Sequence, residues 1–130
     1  MPLEDELANA ADLLRAAGAH VDLDVAPQVP RAPAHVLGPV IRETTTNVLR
    51  HGGGRWARLA LHLDGASWRY EIVNDLPVAP AAPTLMPGSG TGLAGIDRRL
   101  QESGGALDVR EEDGTFALVA TVPDPAGSPR

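Results

Sequence analysis

Hydrophobic and polar positions follow two different periods along this chain, and each period predicts a different kind of secondary structure. A period of about 3.6 residues predicts helices at Glu4–Ala17, Ala34–His51 and Gly92–Ser103. A period of two predicts strands at His20–Val25, Arg55–Leu63, Trp68–Asn74, Ala106–Arg110 and Thr115–Val122. Turns are predicted at Asp64-Gly65 and Glu111–Gly114. This order predicts an α/β (α+β) two-layer sandwich, in which helices pack on one face of a mixed, mostly antiparallel sheet.

The predicted helix Ala34–His51 has an apolar face and a polar face. Residues spaced at i, i+3 and i+4 form an apolar stripe of Leu37, Val40, Ile41, Thr44 and Val48. Beside it, a polar stripe recurs at i, i+4 and i+7, made of Glu43, Asn47 and Arg50. The carboxylate can orient or deprotonate a nucleophile, the amide oxygen is a hard ligand that suits Mg²⁺, and the guanidinium can pair with phosphate. The simpler interpretation of this spacing, taken alone, is a solvated helix face.

A glycine-rich segment, Gly88–Leu93, leads directly into the last predicted helix. Glycine allows the backbone to approach a ligand closely, and the free N–H groups at a helix start attract phosphate. Gly90, Gly92 and Gly95 also fit the dinucleotide fingerprint G-x-G-x-x-G. That fingerprint should follow a buried strand, whereas Ala79–Pro87 contains three prolines and cannot form a central one. The alternatives are therefore a phosphate-binding loop and a flexible loop before a helix.

The two motifs, in this order, resemble those of the ATP-binding domain of sensor histidine kinases, within the gyrase, MutL and histidine-kinase ATPase superfamily. Arg42–His51, RETTTNVLRH, is similar to the N box, and Gly88–Arg99 is similar to the second glycine box. The sequence of this N box is most similar to that of the bacterial subfamily whose partner regulators carry helix-turn-helix DNA-binding domains. The likeness extends over roughly Leu3–Val122 and implies a histidine-kinase-like ATPase fold.

The resemblance implies a role for each polar group of the expected site. Asn47 is expected to coordinate Mg²⁺, and Glu43 to orient or deprotonate the phosphoryl acceptor. Arg50 and His51 are expected to help neutralise the phosphates, although capping of the helix C-terminus explains His51 equally well. The residues expected to contact the nucleotide from the glycine box are Gly88, Gly90, Thr91, Gly92 and Leu93.

The expected adenine-binding motif departs from the family pattern. In the family, this strand ends with the aspartate of D-x-G-x-G, which accepts a hydrogen bond from the adenine amino group. Here Asn74 takes that place, Asp75 follows, and Leu76 and Val78 stand where glycines are expected. An amide oxygen can also accept from adenine, without the assistance of a charge. A slip of one residue would put Asp75 at the adenine, but Asn74 is favoured because it shares a face with Trp68, Tyr70 and Ile72.

The segment after this strand, Leu76–Pro87, is a candidate ATP lid, stiffened by its prolines. A phosphoacceptor histidine is not evident. In the family it lies on a dimeric helical hairpin in a setting like E-L-H-D, which none of the four histidines here has. We therefore expect residues 1–17 to be a helix or linker from a dimerisation hairpin, residues 18–123 to be the ATP-binding catalytic domain, and residues 124–130 to be a flexible tail.

The activity that the resemblance implies is that of an ATP-dependent histidine kinase whose catalytic domain is not competent alone. It would bind Mg·ATP and donate the γ-phosphoryl group to a histidine on the phosphoacceptor hairpin of the same kinase, with a response regulator downstream. The isolated domain is expected to be monomeric. Two alternatives stay open. One is an anti-sigma-type protein-serine kinase of the same superfamily, although the sequence of Arg42–His51 argues against it. The other is a non-catalytic interaction module, which the altered adenine motif supports.

Composition and charge narrow the class of protein further. The chain has 130 residues, which suits one domain, and no cysteine for a disulfide or a thiolate metal site. A formal charge of −6 without a basic cluster argues against direct contact with nucleic acid or an anionic membrane. No apolar run approaches the ~20 residues of a membrane span, and the start MPLEDEL lacks the basic residues of a signal peptide. We therefore expect a cytoplasmic domain, with the cytoplasmic part of a membrane-bound sensor as one setting.

Overall fold

The computed structural model describes residues 2–26, 29, 31–51, 55–76 and 91–124. The described helices are α1 (Leu3–Ala16), α2 (Arg31–His51) and α3 (Thr91–Glu102). The described strands are β1 (His20–Val25), β2 (Trp56–Asp64), β3 (Ser67–Asp75), β4 (Ala106–Glu112) and β5 (Thr115–Pro123). Every predicted element is present, and its ends lie within a few residues of their predicted positions. Among these helices, none has the length and apolar content that crossing a membrane requires.

The described strands form one five-stranded sheet in the order β1-β2-β3-β5-β4. β1 runs parallel to β2, and the other neighbouring pairs are antiparallel. The parallel pair follows from the crossover through α2, whereas β2 with β3 and β4 with β5 form hairpins. The prediction of a mixed, mostly antiparallel sheet is confirmed.

The two hairpin turns differ from their predicted positions because the strands continue further. β2 extends through Asp64, so the first turn is Gly65-Ala66 rather than Asp64-Gly65. β4 also extends beyond its predicted end, so the second turn is Asp113-Gly114. The φ angles are 65° at Gly65, 53° at Asp113 and 75° at Gly114. Such left-handed conformations let a two-residue turn match the twist of the paired strands.

Helix α1 belongs to the same hydrophobic core as the rest of the described domain. Its buried face, which packs against α2 and the sheet, consists of Leu3, Leu7, Ala10, Ala11 and Leu14. The Glu6 carboxylate, on α1, forms an ion pair with the Arg42 guanidinium on α2. The Arg15 guanidinium donates a hydrogen bond to the Val21 carbonyl in β1, at 3.0 Å. These contacts fix α1 against α2 and β1, and the predicted connection of α1 to a dimerisation hairpin stays a prediction.

The alternation of β3 confirms that the helices cover one face of the sheet. The buried face carries Trp68, Tyr70, Ile72 and Asn74, whereas the opposite face is half-exposed at Ser67, Arg69, Glu71 and Val73. At one end of the buried face, Trp68 Nε1 donates to Asp124 Oδ1 at 3.2 Å. Asp124 is buried, and the division into a domain and a tail stays a prediction. Residues 125–130 lie outside the described residues.

Helix α3 ends against β5 at two consecutive glycines. Gly104 has φ +82°, and the Gly105 N–H donates to the Leu100 carbonyl at 2.7 Å. A Cβ atom on Gly105 would lie 1.9 Å from the Thr121 carbonyl oxygen, so only glycine permits this approach. The contact holds the C-terminal end of α3 against the sheet, and with it the helix that the predicted glycine box begins.

Candidate functional site

Helix α2 presents the two faces that its sequence predicts. The predicted apolar stripe is buried in the core at all of its positions: Leu37, Val40, Ile41, Thr44 and Val48. In the polar stripe, Glu43 and Asn47 are half-buried and Arg50 is exposed, and His51 is also exposed at the end of the helix. Among the described residues, Glu43 and Asn47 make no hydrogen bond or ion pair through their side chains. Their polar atoms therefore lie at the edge of the core and are available to a ligand.

Three consecutive threonines satisfy their hydroxyl groups within α2. Thr44 Oγ1 lies 2.9 Å from the Val40 carbonyl, Thr45 Oγ1 lies 2.7 Å from the Ile41 carbonyl, and Thr46 Oγ1 lies 3.0 Å from the Arg42 carbonyl. Thr44 and Thr45 are buried, and a buried hydroxyl without a partner would destabilise the domain. Back-bonding of this kind is common for threonine in helices. It explains how polar residues occupy the core-facing side of the helix.

Thr44 also contacts the sheet, through the hydroxyl of Tyr70 at 2.8 Å. Since Thr44 has one hydroxyl proton and can give it to a helix carbonyl, which only accepts, the Tyr70 hydroxyl is the donor in this pair. Tyr70 is fully buried, and burial raises the pKa of its phenol well above the usual range, although the hydrogen bond with Thr44 acts in the opposite direction. The phenol therefore stays protonated and remains a donor.

Asn74 lies at the end of β3 with a hydrogen-bond acceptor to spare. Asn74 is 2% exposed, and its Nδ2 donates a hydrogen bond to the Asp75 carbonyl at 2.9 Å. Because a carbonyl only accepts, the amide must present its nitrogen there and turn Oδ1 away. That Oδ1 is the buried side-chain atom without a hydrogen-bond partner among the described residues. Such an atom costs about 1–3 kcal/mol when it stays unpaired, and each instance in a folded protein calls for an explanation.

Asp75, the alternative candidate, is engaged in the sheet. Its Oδ1 accepts from the backbone N–H groups of Arg55 and Trp56, both at 3.3 Å. Its Oδ2 lies 3.9 Å from the Arg55 Nε. The carboxylate therefore stabilises the start of β2, and the geometry favours Asn74 over Asp75 as the residue with a free acceptor.

Only part of the predicted glycine box and lid lies among the described residues. Gly88 and Gly90 lie outside them. Thr91 and Gly92 begin α3, and Leu93 is partly buried against the core. Of the candidate lid, the described residue is Leu76, which packs on the core and donates its N–H to the Gly114 carbonyl at 2.9 Å.

Two contacts of the site have little or no signal in the sequence. The ion pair between Glu6 and Arg42 joins residues 36 positions apart, and no local pattern predicts which acidic residue Arg42 meets. The pairing of Tyr70 with Thr44 had a weak signal, since a tyrosine on an apolar strand face needs a partner for its hydroxyl. Thr44, a polar residue inside the apolar stripe, is the natural counterpart.

The described residues contain no cluster of three or more His, Cys, Asp or Glu side chains that could hold a metal ion. A divalent cation at α2 would therefore rely on the Asn47 amide together with oxygens of a ligand. Phosphate oxygens are typical partners of Mg²⁺ in such sites. The donor set thus suits a metal that arrives with a nucleotide.

No family model matches the chain, and no curated protein matches it either. Solved structures do match. The chain is similar to the histidine kinase domain of the Erythrobacter litoralis EL346 blue-light activated histidine kinase, with a TM-score of 0.73 and 20% identity over 98% of this chain and 63% of that one. It is also similar to the catalytic domain of the histidine kinase ThkA in a nucleotide-free form, with a TM-score of 0.70 and 13% identity over 94% of this chain and 91% of that one.

A third similar structure is full-length ShkA in complex with AMPPNP, with a TM-score of 0.66 and 23% identity over 95% of this chain and 31% of that one. The chain therefore spans less than two thirds of the longer kinases and nearly all of an isolated catalytic domain. At these identities the likeness shows the fold, and the predicted histidine-kinase-like ATPase fold is confirmed. The predicted pairing with helix-turn-helix regulators stays a prediction.

Proposed function

We propose, since the chain has the fold of a histidine kinase catalytic domain, that it binds Mg·ATP and donates the γ-phosphoryl group to a histidine on a separate dimerisation hairpin. The observation that carries this proposal is the unpaired, buried Oδ1 of Asn74. It lies at the end of β3, in the place where the family resemblance puts the adenine-reading side chain. An acceptor that the fold leaves unsatisfied is what an incoming amino group requires.

At the base, the adenine amino group would donate to Asn74 Oδ1. The hydrogen bond to the Asp75 carbonyl holds the amide in the orientation that presents this oxygen. Since the acceptor is neutral, the bond would lack the charge assistance that an aspartate supplies. We therefore expect a dissociation constant between micromolar and millimolar, toward the weaker end, which corresponds to roughly −8 to −4 kcal/mol.

At the phosphates, Asn47 would hold Mg²⁺, which neutralises part of the phosphate charge when it is bound. Glu43 would orient or deprotonate the acceptor imidazole, and Arg50 with His51 would add positive charge at the end of α2. The glycine box, Gly88 to Leu93, would present backbone N–H groups to the phosphates. ShkA, which shares the fold and was solved in complex with AMPPNP, supports the proposal of nucleotide binding. Catalysis of this kind consists mainly of positioning and charge neutralisation.

The partners proposed here are those that the family resemblance implies. The hairpin of the same kinase would supply the acceptor histidine, and a response regulator would receive the phosphoryl group afterwards. The domain would work in the cytoplasm and would be monomeric on its own. Incubated alone with labelled ATP, it should not form phosphohistidine, because His20, His35, His51 and His62 lack the acceptor setting.

A calorimetric titration of the chain with Mg·ATP tests the nucleotide half of the proposal. We expect saturable heat at millimolar concentrations, and none at all would contradict the proposal. Addition of the hairpin then tests transfer: acid-labile label should appear on its histidine and depend on Glu43. Acid-labile label on the isolated chain would mean that one of its own histidines is an acceptor. Acid-stable label on a partner's serine would indicate the anti-sigma type of kinase.

One observation favours the non-catalytic alternative. Leu76 stands where the family has a glycine, and its backbone and side chain are held by Gly114 and the core. A lid that begins from a fixed residue has less freedom to close over a nucleotide. If the folded domain fails to bind Mg·ATP, the non-catalytic interaction module becomes the favoured function.

A further inference from the structure

The contacts that hold α2 differ in how strictly they determine its position. Its apolar stripe packs on the core, and such burial is non-directional, so that it sets no donor–acceptor geometry. A hydrogen bond is directional and does not tolerate a small shift along the helix axis. Among the side chains that the structure describes, the hydrogen bond between α2 and the sheet is the one from Tyr70 to Thr44, at 2.8 Å.

Thr44 and Tyr70 lie next to the groups of the proposed nucleotide site on both elements. On α2, Thr44 directly follows Glu43 and precedes Asn47 by one helical turn. On β3, Tyr70 and Asn74 share the buried face, about 13 Å apart along the strand. The hydroxyl pair therefore joins the helix that carries the polar stripe to the strand that carries the free acceptor.

The neighbouring residue on the other side of Glu43 is anchored as well. Arg42 forms its ion pair with Glu6 of α1. Glu43 thus lies between one residue tied to α1 and one tied to β3, while its own side chain makes no hydrogen bond or ion pair within the described part of the chain. Contacts made by the two neighbouring residues can fix the position of Glu43 while its carboxylate stays available for a ligand.

We infer that Thr44 and Tyr70 are positioning residues, which hold the polar stripe of α2 in register with Asn74 so that one nucleotide engages both. The inference rests on the proposed nucleotide-binding function. Neither hydroxyl would touch the nucleotide. Loss of the pair would let α2 shift against β3, and the metal at Asn47 would then no longer align with a base held at Asn74.

The test compares ATP affinity with Mg²⁺ and with EDTA, and takes the ratio as the magnesium gain. Tyr70→Phe removes one hydroxyl and leaves Thr44 satisfied by its helix carbonyls, so the variant should fold. We expect its magnesium gain to fall by about fivefold, which corresponds to roughly 1 kcal/mol, as for the loss of one hydrogen bond. Its affinity without metal should change by about twofold at most, because the base contact lies on β3 alone.

Two control variants separate positioning from general stability. Thr44→Ser keeps the hydroxyl and should keep the magnesium gain. Trp68→Phe removes the buried hydrogen bond to Asp124 on the same strand, and should lower the thermal midpoint while leaving the gain unchanged. A full gain in Tyr70→Phe, or an equal loss in Trp68→Phe, would overturn the positioning role alone. An unmutated chain that binds no ATP, or binds it equally with and without metal, would overturn the proposed function together with the positioning role.

Discussion

The buried polar side chains along β3 differ in whether their polar atoms have partners. At one end Trp68 donates to Asp124, and in the middle of the strand Tyr70 donates to Thr44. At the other end Asn74 is just as buried, yet its Oδ1 has no hydrogen-bond partner among the described residues. The neighbouring Asp75 is paired with the backbone at the start of β2. Since buried polar atoms are nearly always paired, the partnered groups maintain the fold, whereas the Asn74 oxygen is left as an acceptor for a ligand.

The same contrast separates the two faces of α2. Thr44 and Thr45 are buried and satisfied, whereas Glu43 and Asn47 are half-buried and have no side-chain partner in the described part of the chain. Variants of the partnered groups are therefore expected to change stability. Variants of partnerless groups should change binding or catalysis and leave the fold intact.

The largest effect is expected at Glu43. In a mixture with the hairpin of its own kinase, Glu43→Ala should slow γ-phosphoryl transfer by about 10²-fold or more, the usual contribution of a general base. Its thermal midpoint should change little, because the side chain has no partner to lose within the described residues. Transfer is measured with labelled ATP, and Glu102→Ala, an exposed carboxylate on α3, serves as the matched control. An unchanged rate would show that Glu43 has no role in the transfer step, although its side chain has no partner among the described residues.

The next effect concerns the partnered groups. Thr44→Val should lower the free energy of unfolding by about 1–3 kcal/mol, because it leaves the buried Tyr70 hydroxyl without an acceptor. Adding Tyr70→Phe should restore part of that loss, since the unpaired hydroxyl is then gone. Urea unfolding of the two single variants and the double variant measures the coupling. Strictly additive losses would show that the hydrogen bond does not contribute to stability.

A smaller effect is expected at Asn47. Asn47→Ala should weaken ATP binding in the presence of Mg²⁺ by about tenfold, or roughly 1.4 kcal/mol, through the loss of a metal ligand. The free energy of unfolding should change by about 1 kcal/mol or less. Calorimetry and thermal unfolding measure the two quantities, with the neighbouring Thr46→Ala as control. A variant that unfolds, with unchanged affinity per folded molecule, would make Asn47 a structural residue.

The smallest effect is expected at Asn74. Asn74→Leu removes the unpaired acceptor together with the hydrogen bond to the Asp75 carbonyl, so its stability should stay within about 1 kcal/mol of the unmutated protein. ATP binding should weaken by about fivefold, which corresponds to one hydrogen bond. The preference for ATP over GTP should fall as well, because guanine presents an oxygen where adenine presents an amino group. Unchanged preference would mean that Asn74 does not read the base.

Local patterns in the sequence predicted most of the fold. The switch between two periods located every described helix and strand, because a face buried against one core must repeat with the period of its element. The apolar stripe of α2 and the buried face of β3 were predicted residue by residue for the same reason. The turn positions were missed by one residue or more, since strand ends depend on pairing across the hairpin rather than on local preference.

The contacts between elements could not be predicted from local patterns in the sequence. The partner of Arg42 is 36 positions away, and the burial of α1 depends on a surface formed by α2 and β1. The sequence left Asn74 and Asp75 as alternatives because they are consecutive residues of one strand, and a slip of one position in the motif exchanges them. Only the pairing of Asp75 with the start of β2 distinguishes an occupied carboxylate from a free amide oxygen.

Helix α2 has a consequence for how the protein responds to its ligand. It contains Gly38, Pro39 and three consecutive threonines, all of which lower intrinsic helix stability. Such a segment has little tendency to be helical by itself, so α1 and the sheet must be in place before the polar stripe exists. A denatured chain would therefore have no measurable affinity for Mg·ATP. The melting temperature should then rise steadily with nucleotide concentration, because the ligand binds only to the native form.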